Sequence, residues 1–166
     1  MDRPLVGILM GSDSDLPVMR ECAAVLEEFG IPYEMTISSA HRTPDRTKEF
    51  IHEAEKKGIK VFIAGAGLAA HLAGFVAAHT TLPVIGIPLE AGPLKGMDSL
   101  LSTVQMPPGV PVATVAIGKA GARNAGILAA QILATADEAI RGKLTEYRRR
   151  QAQKVVEKAE ALRKEG

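Results

Sequence analysis

With 166 residues, 46% hydrophobic and 23% charged, the chain has the composition of one ordinary globular domain, which excludes a disordered or fibrous protein. Twenty Lys and Arg against nineteen Asp and Glu leave a formal charge of +1, so there is no general pull toward nucleic acid or an anionic membrane, and any anion must be bound by a local site. The opening MDRPLVGILMGSDSD holds an apolar run of about six residues, too short for a signal sequence or a membrane span. The single cysteine, Cys22, forms no internal disulfide and fits a buried apolar position in a reducing, cytoplasmic setting.

In chain order, LVGILM (5–10) reads as a first strand that ends at GSDSD (11–15). LPVMRECAAVLEEFG then carries apolar residues at helical spacing up to a glycine stop at Gly30. YEMTIS (33–38) is a second strand, leading into SSAHRTP (38–44), where Pro44 suits a first helical turn and Thr43 or Ser39 a cap. TPDRTKEFIHEAEKKG continues as a helix to Gly58. A third strand, KVFIAGA (60–66), precedes GAGLAAHLAG (65–74) and an Ala-rich helical stretch after residue 68. PVIGIP (83–88) is the fourth strand, followed by LEAGPLKGMDS (89–99), and VATVAI (112–117) is the fifth. GKAGARNAG (118–126) is small enough for close helix contact and leads into a helix after residue 122.

Strands that are apolar almost throughout, joined by helical crossovers, imply a parallel sheet covered on both faces, a doubly wound α/β fold. Ligands of such sheets sit beyond the carboxyl ends of the strands, so the segments after the strands hold the candidate site. From Thr135 onward the pattern changes. Thr135 and Glu138 have the spacing of a capping box, and Ile140, Leu144, Tyr147, Val155, Ala159 and Leu162 mark one apolar stripe. A helix of this length spans roughly 40 Å, more than the domain can cover, so residues 1–135 are expected to form the catalytic domain and 136–166 an arm on a neighbouring subunit. The RRR run at 148–150 is balanced by nearby acidic residues and reads as a solvated helix face.

Three of the strand-ending segments carry chemistry. In GSDSD, a strand, a glycine turn and a helix starting near Leu16 and Pro17 present backbone N–H groups and a positive dipole end to an anion. Asp13 and Asp15 place negative charge there too. The N–H groups and Ser12 are therefore assigned to a phosphate and one carboxylate to sugar hydroxyls, with helix capping by Ser14 or Asp15 as the equal alternative. In SSAHRTP, Arg42 offers a planar fork of donors for phosphate, and His41 is a candidate proton carrier. GAGLAAHLAG contains G-x-G-x-x-A, but it follows the third strand rather than the first, so dinucleotide binding is discounted in favour of tight helix–sheet packing or a small-residue pocket wall faced by His71. The histidines at 41, 52, 71 and 79 lack metal-ligand spacing, and His52 and His79 read as helix surface. With no G-x-S-x-G elbow and no P-loop, phosphate binding plus proton transfer remains, without metal or nucleotide cofactor.

Taken together, GSDSDLPVM, SAHRTPDR, IAGAGLAAHLAG, LPVIGIPL and GMDSLLSTVQMPPGVPVATVAIGKAGARNAGILAAQIL resemble the N5-carboxyaminoimidazole ribonucleotide mutase family, the phosphoribosylaminoimidazole carboxylases of purine biosynthesis. The likeness runs from about residue 4 to 135, and several motifs in the right order make it specific. It implies a flavodoxin-like three-layer domain around a five-stranded sheet, a homo-octamer, and C-terminal helices that reach onto neighbours. It also implies a ribonucleotide 5′-phosphate substrate whose carboxyl group moves from the exocyclic nitrogen to C4 through CO2, without ATP, biotin or metal. By this resemblance Ser12 and Asp15 bind phosphate and ribose, Arg42 binds phosphate with Ser39, His41 is the general acid/base, and His71 is a second active-site histidine. Gly67 and Leu68 fall at substrate-binding positions. A synthetase that makes the labile substrate is the expected upstream partner. Direct carboxylation of aminoimidazole ribonucleotide and a non-catalytic ribonucleotide-binding paralogue are the alternatives.

The chain departs from the family pattern at three places. Leu68 stands for a glycine and Ala73 for a proline in GAGGAAHLPG, and Ala91 stands for a serine after the fourth strand. If the backbone at residue 68 needs positive φ, a leucine there is strained, and these positions are expected to alter pocket shape and CO2 containment.

Overall fold

Strands that are apolar on both sides bury both faces only when helices cover each, and the chain folds that way. A computed structural model describes residues 3–164. In it β1 (Val6–Met10), β2 (Tyr33–Ile37), β3 (Val61–Ala66), β4 (Val84–Pro88) and β5 (Ala113–Thr114) alternate with α1 (Leu16–Phe29), α2 (Pro44–Lys57), α3 (Leu72–Ala78), α4 (Met97–Val104) and α5 (Gly118–Leu133), and α6 (Glu138–Lys164) closes the chain. The strands form one parallel sheet in the order β2-β1-β3-β4-β5, the flavodoxin-like arrangement the resemblance implies.

Because side chains alternate across a strand, Ile8 and Met10 enter one core and Leu9 the other. Against the first face α1 sets Met19, Cys22 and Leu26, α5 sets Ala122, Ala125 and Ala129, and α6 adds Ile140 and Leu144. Ile51 of α2 and Val76 of α3 cover the second face around Phe62 and Ala64. Small residues let α1 and α5 approach closely: a Cβ on Gly126 would stand 2.9 Å from the Cys22 carbonyl oxygen. Cys22 is fully buried, and burial pushes its thiol up to about 12, which makes it a small apolar core residue rather than a nucleophile.

Gly30 and Gly58 stop α1 and α2 at φ 66° and 104°, as their positions in the sequence indicate. Register matters more for function. Met10 pairs with both Ile37 and Gly65, and Gly65 pairs with Ile87, so the first four strands reach one carboxyl edge together. The segments that follow them are therefore neighbours.

Three local features differ from the sequence reading. The fifth strand pairs only through Ala113 and Thr114 instead of 112–117, because it lies at the sheet edge with a single neighbour and the chain must turn into α5 at Gly118. The segment at 97–104 is a helix, α4, that the sequence hid. Its pattern is inverted: Ser99 and Thr103 are buried while Met97, Leu101 and Val104 are exposed. Backbone carbonyls make this tolerable, since Ser99 Oγ donates to Leu89 O at 2.8 Å and Thr103 Oγ1 to Ser99 O at 2.7 Å. At the start of α6, Asp137 rather than Thr135 is the cap. Its Oδ1 accepts from the N–H groups of Ala139 and Ile140, while Thr135 donates to Ile132 O.

The first turns of α6 pack on the domain, and Arg150 reaches Glu28 at 2.8 Å. Beyond that point α6 is exposed, Val155 at 68% and Leu162 at 72%. Among the described residues no helix is long and apolar enough to cross a membrane.

Candidate active site

The loop after β1 folds into a short 3-10 turn, Asp13–Asp15, held by its own side chains. The Ser12 N–H donates to Asp15 Oδ2 at 3.1 Å, and the Ser14 N–H reaches Ser12 Oγ at 3.3 Å and Asp13 Oδ1 at 3.0 Å. Asp15 stands at the cap position of α1 without a side-chain cap, and Ser12 rather than Ser14 caps the turn, so the N–H donors expected to face a phosphate are engaged by the turn's own oxygens. Burial, opposed by the Ser12 N–H, holds the Asp15 carboxyl above its ordinary 3.8.

The loop after β2 is pinned from beneath. Ser38 and Thr47 share a buried hydroxyl hydrogen bond of 2.7 Å, a support that nothing in the sequence distinguishes from ordinary polar loop composition. Thr43, although at the cap position of α2, does not cap; its Oγ1 accepts from the Ser39 N–H at 3.0 Å. The bend places Arg42 back over the end of β1. Its N–H donates to Ser39 Oγ at 3.2 Å and its Nη2 to the Gly11 carbonyl at 2.9 Å, and its other guanidinium donors make no further hydrogen bond among the described residues.

His41 leaves the same loop toward the β3 side. Its Nε2 lies 2.7 Å from Nδ1 of His71, with the rings edge to face at 89°. His71 occupies the cap position of α3 without capping the helix, which leaves its ring for this contact. Both histidines are exposed, and the outer nitrogen of each makes no hydrogen bond among the described residues. Two rings in such contact can pass a proton between a reacting atom and solvent.

One cavity of about 500 Å³ joins these groups, in the range of small-molecule sites. Ser12, Asp15, Ser39, His41, Arg42, Gly67, Leu68 and His71, the residues that the resemblance assigns to the site, all line it. Ala40, Ala66, Ala69, Leu72 and Ala91 also line it; Ala66, Ala69 and Leu72 belong to the segment read as a small-residue pocket wall, Ala91 was noted as a departure, and Ala40 alone carried no signal in the sequence. Ala73 is buried in α3 and does not line the cavity, so its replacement of a proline leaves the wall untouched. Leu68 does line it, at φ +54°, a conformation that costs a leucine roughly 1–2 kcal/mol. His52 is exposed on α2 as expected, whereas His79 is half-buried, stacked on Phe75 with Nδ1 on the Phe75 carbonyl. Among the described residues no group of three or more His, Cys, Asp or Glu is placed to hold a metal ion.

A cavity at the carboxyl edge of a 2-1-3-4-5 parallel sheet, with an arginine, hydroxyls and a histidine pair on its wall, defines a flavodoxin-like α/β protein with a small-molecule site at the position usual for its class. Its relatives are specific. The family described as AIR carboxylase matches residues 5–154, and the chain belongs to that family. It is 58% identical over 165 residues to the N5-carboxyaminoimidazole ribonucleotide mutase of Pyrococcus horikoshii, covering 99% of this chain and 92% of that protein. It is 60% identical to the protein of the same name from Thermotoga maritima, covering 98% and 94%. The crystal structure of Treponema denticola PurE superposes with a TM-score of 0.88 at 34% identity, over 96% of this chain and 99% of that one.

Proposed function

We infer that this chain is an N5-carboxyaminoimidazole ribonucleotide mutase, an isomerase of purine biosynthesis that forms 4-carboxy-5-aminoimidazole ribonucleotide. Family membership and the names of relatives more than half identical over nearly the whole chain support the activity. The observation that carries the chemistry is the 2.7 Å contact of His41 with His71 in a cavity that also contains Arg42 and Ser12.

The reaction is a redox-neutral rearrangement. The carbamate N–C bond breaks, its electron pair stays on the exocyclic nitrogen, which gains a proton, and CO2 is freed. The enamine-like C4 then gives an electron pair to the carbon of CO2, and the proton on C4 leaves to restore the aromatic ring. One proton is taken up and one released, so a single carrier serves both steps. His41 is that carrier, and His71 fixes its tautomer and takes up charge. Arg42, with Ser39 and Ser12, grips the 5′-phosphate, and Asp15 accepts from the ribose hydroxyls. For phosphate to bind, Arg42 exchanges its bond to the Gly11 carbonyl for bonds to the ligand.

The assembly belongs to the same reading. A homo-octamer, with residues 136–166 as an arm on a neighbouring subunit, accounts for the exposed apolar residues of α6 and for Met97, Leu101 and Val104 on α4. A cytoplasmic setting and a synthetase that delivers the labile carbamate complete it.

The test is to incubate the protein with the 4-carboxy product and follow the loss of its ultraviolet absorbance as the equilibrium runs backward, with and without added bicarbonate. Turnover independent of bicarbonate is expected. Turnover suppressed by added bicarbonate would instead identify a direct carboxylase, whose reverse reaction releases CO2, and nucleotide binding without turnover a non-catalytic paralogue.

A further inference from the structure

Arg46 is placed where the stability of the free chain gives no reason for a cation. It stands in the first turn of α2, where the helix dipole favours a carboxylate such as the neighbouring Asp45 and disfavours positive charge. Among the described residues it forms no ion pair. Its guanidinium is held only by two long bonds to uncharged oxygens, Nε to the Ile37 carbonyl at 3.5 Å and Nη2 to Thr36 Oγ1 at 3.3 Å. These bonds lay the side chain across the end of β2, where it lines a second cavity of about 450 Å³. That cavity adjoins the candidate active site, since Gly11, Ser12, Ser39 and Arg42 line both. Ser12, Ser39 and Arg42 are also the groups to which the mutase reading gives the 5′-phosphate.

Charge separates the two sides of that border. A phosphate monoester carries about −1.5 to −2 at pH 7. In the active-site cavity Arg42 is the one permanent cation, and ionised Asp15 offsets it. The adjoining cavity is lined by Arg42, Arg46 and a single carboxylate, Asp13. Asp13 Oδ1 already accepts from the Ser14 N–H and the Ser12 hydroxyl, both at 3.0 Å. Cations therefore exceed carboxylates on the Arg46 side, which is where a dianion gains most.

We propose that Arg46 is a second phosphate-binding residue, which with Arg42 holds the substrate's 5′-phosphate from the side of the adjoining cavity and makes the site select the nucleotide over its nucleoside. The proposal rests on the part of the mutase reading that sets the phosphate at Arg42, Ser39 and Ser12. When the anion arrives, Arg46 exchanges its two long bonds for charge-assisted ones. The exchange costs the fold little, because both of the bonds given up are exposed and water replaces them.

The test titrates the 4-carboxy product nucleotide against wild type, Arg46→Gln and Arg46→Lys, with the 5′-dephosphorylated nucleoside and inorganic phosphate measured as its competitors. Arg46→Gln is expected to bind nucleotide and inorganic phosphate about ten-fold more weakly, with nucleoside affinity equal to that of wild type. Arg46→Lys keeps the charge and should recover part of the loss for both anions. Equal nucleotide affinity in wild type and Arg46→Gln would overturn the proposal. So would a loss shared by the nucleoside, which would make Arg46 a support for the loop rather than a phosphate ligand. A loss that Arg46→Lys does not relieve would overturn it too, by tracing the effect to the bonds with Thr36 and Ile37 instead of the charge. A wild type that shows the expected binding pattern yet converts no carbamate supports Arg46 in this role and removes only the mutase activity. A wild type that binds nucleotide and nucleoside alike removes the phosphate assignment itself, and the proposal with it.

Discussion

His41 Nε2 and His71 Nδ1 stand 2.7 Å apart, although 30 positions separate them in the chain. One comes from the loop after β2 and the other from the start of α3, across the central strands β1 and β3. In the neutral pair one ring donates and the other accepts, so the tautomer of each fixes that of its partner. In the proposed mechanism a proton taken from C4 by His41 would change this bond and so involve the second histidine.

His41→Asn is expected to lower turnover by about 10²–10⁴-fold, the usual contribution of a positioned acid or base, with nucleotide affinity near that of wild type. His71→Gln should lower kcat with little change in KM and displace the pH–rate profile, which a purely structural loss would not do. Steady-state kinetics across pH, alongside direct nucleotide binding, checks both. Equal loss of affinity in His41→Asn would remove its role as proton carrier.

Arg42→Ala should weaken nucleotide binding by about 1.5–3 kcal/mol, the scale of a charge-assisted hydrogen bond. Arg42→Lys should recover only part of this, since an ammonium cannot reproduce two parallel donors. Calorimetric titration with the product nucleotide reads both, and unchanged affinity in Arg42→Ala would place the phosphate elsewhere. The fold itself should tolerate the change, because Arg42 is exposed and its one side-chain hydrogen bond among the described residues is to the Gly11 carbonyl.

Much of this site was legible because its residues carry chemistry at strand ends. The sheet followed from apolar runs at regular intervals, and once the strands are level at one edge, GSDSD, SSAHRTP and GAGLAAHLAG must meet. Periodicity did not show α4, whose buried face is made of Ser99 and Thr103 and whose apolar residues point outward. Nor could it show that His41 and His71 touch, since contact between loops depends on backbone bends such as the Ser39–Thr43 hydrogen bond. Whether residue 68 needs positive φ could only be posed as a condition from the sequence; the φ of +54° and the approach of the leucine side chain to Gly92 are tertiary facts.

In the proposed reading Asp15 is expected to couple stability to nucleotide binding. Its carboxyl is held above 3.8 chiefly by burial, so the ionised form is less favourable in the folded chain than in the unfolded one. Stability from this residue is therefore full below 3.8 and falls as pH rises through the elevated folded value. Asp15→Asn keeps an acceptor for the Ser12 N–H but carries no charge. It should melt at a higher temperature than wild type at pH 7, and the difference should narrow as the pH is lowered toward 3.8, while nucleotide affinity falls. Melting curves of the two proteins across pH measure this directly. An unchanged melting temperature at pH 7 would mean that ionised Asp15 is not costly in the folded chain.

The outer half of α6 is exposed along its length, which fits the proposed arm on a neighbouring subunit. Ile140 and Leu144 dock on the domain, Lys143 Nζ donates to the Phe29 carbonyl at 2.6 Å, and Arg150 pairs with Glu28, whereas residues 151–164 are exposed throughout. A helix segment with Val155, Val156 and Leu162 in water, and without tertiary partners among the described residues, gains little from propensity alone. Removing residues 152–166 should therefore leave the domain's circular dichroism native apart from the lost helix, yet yield a smaller particle in sedimentation velocity. If the shortened chain sediments as the same assembly, the α4 surface is enough to hold the subunits together and the arm is dispensable. If instead the domain unfolds, α6 stabilises its own chain to a degree that its exposed contacts do not account for.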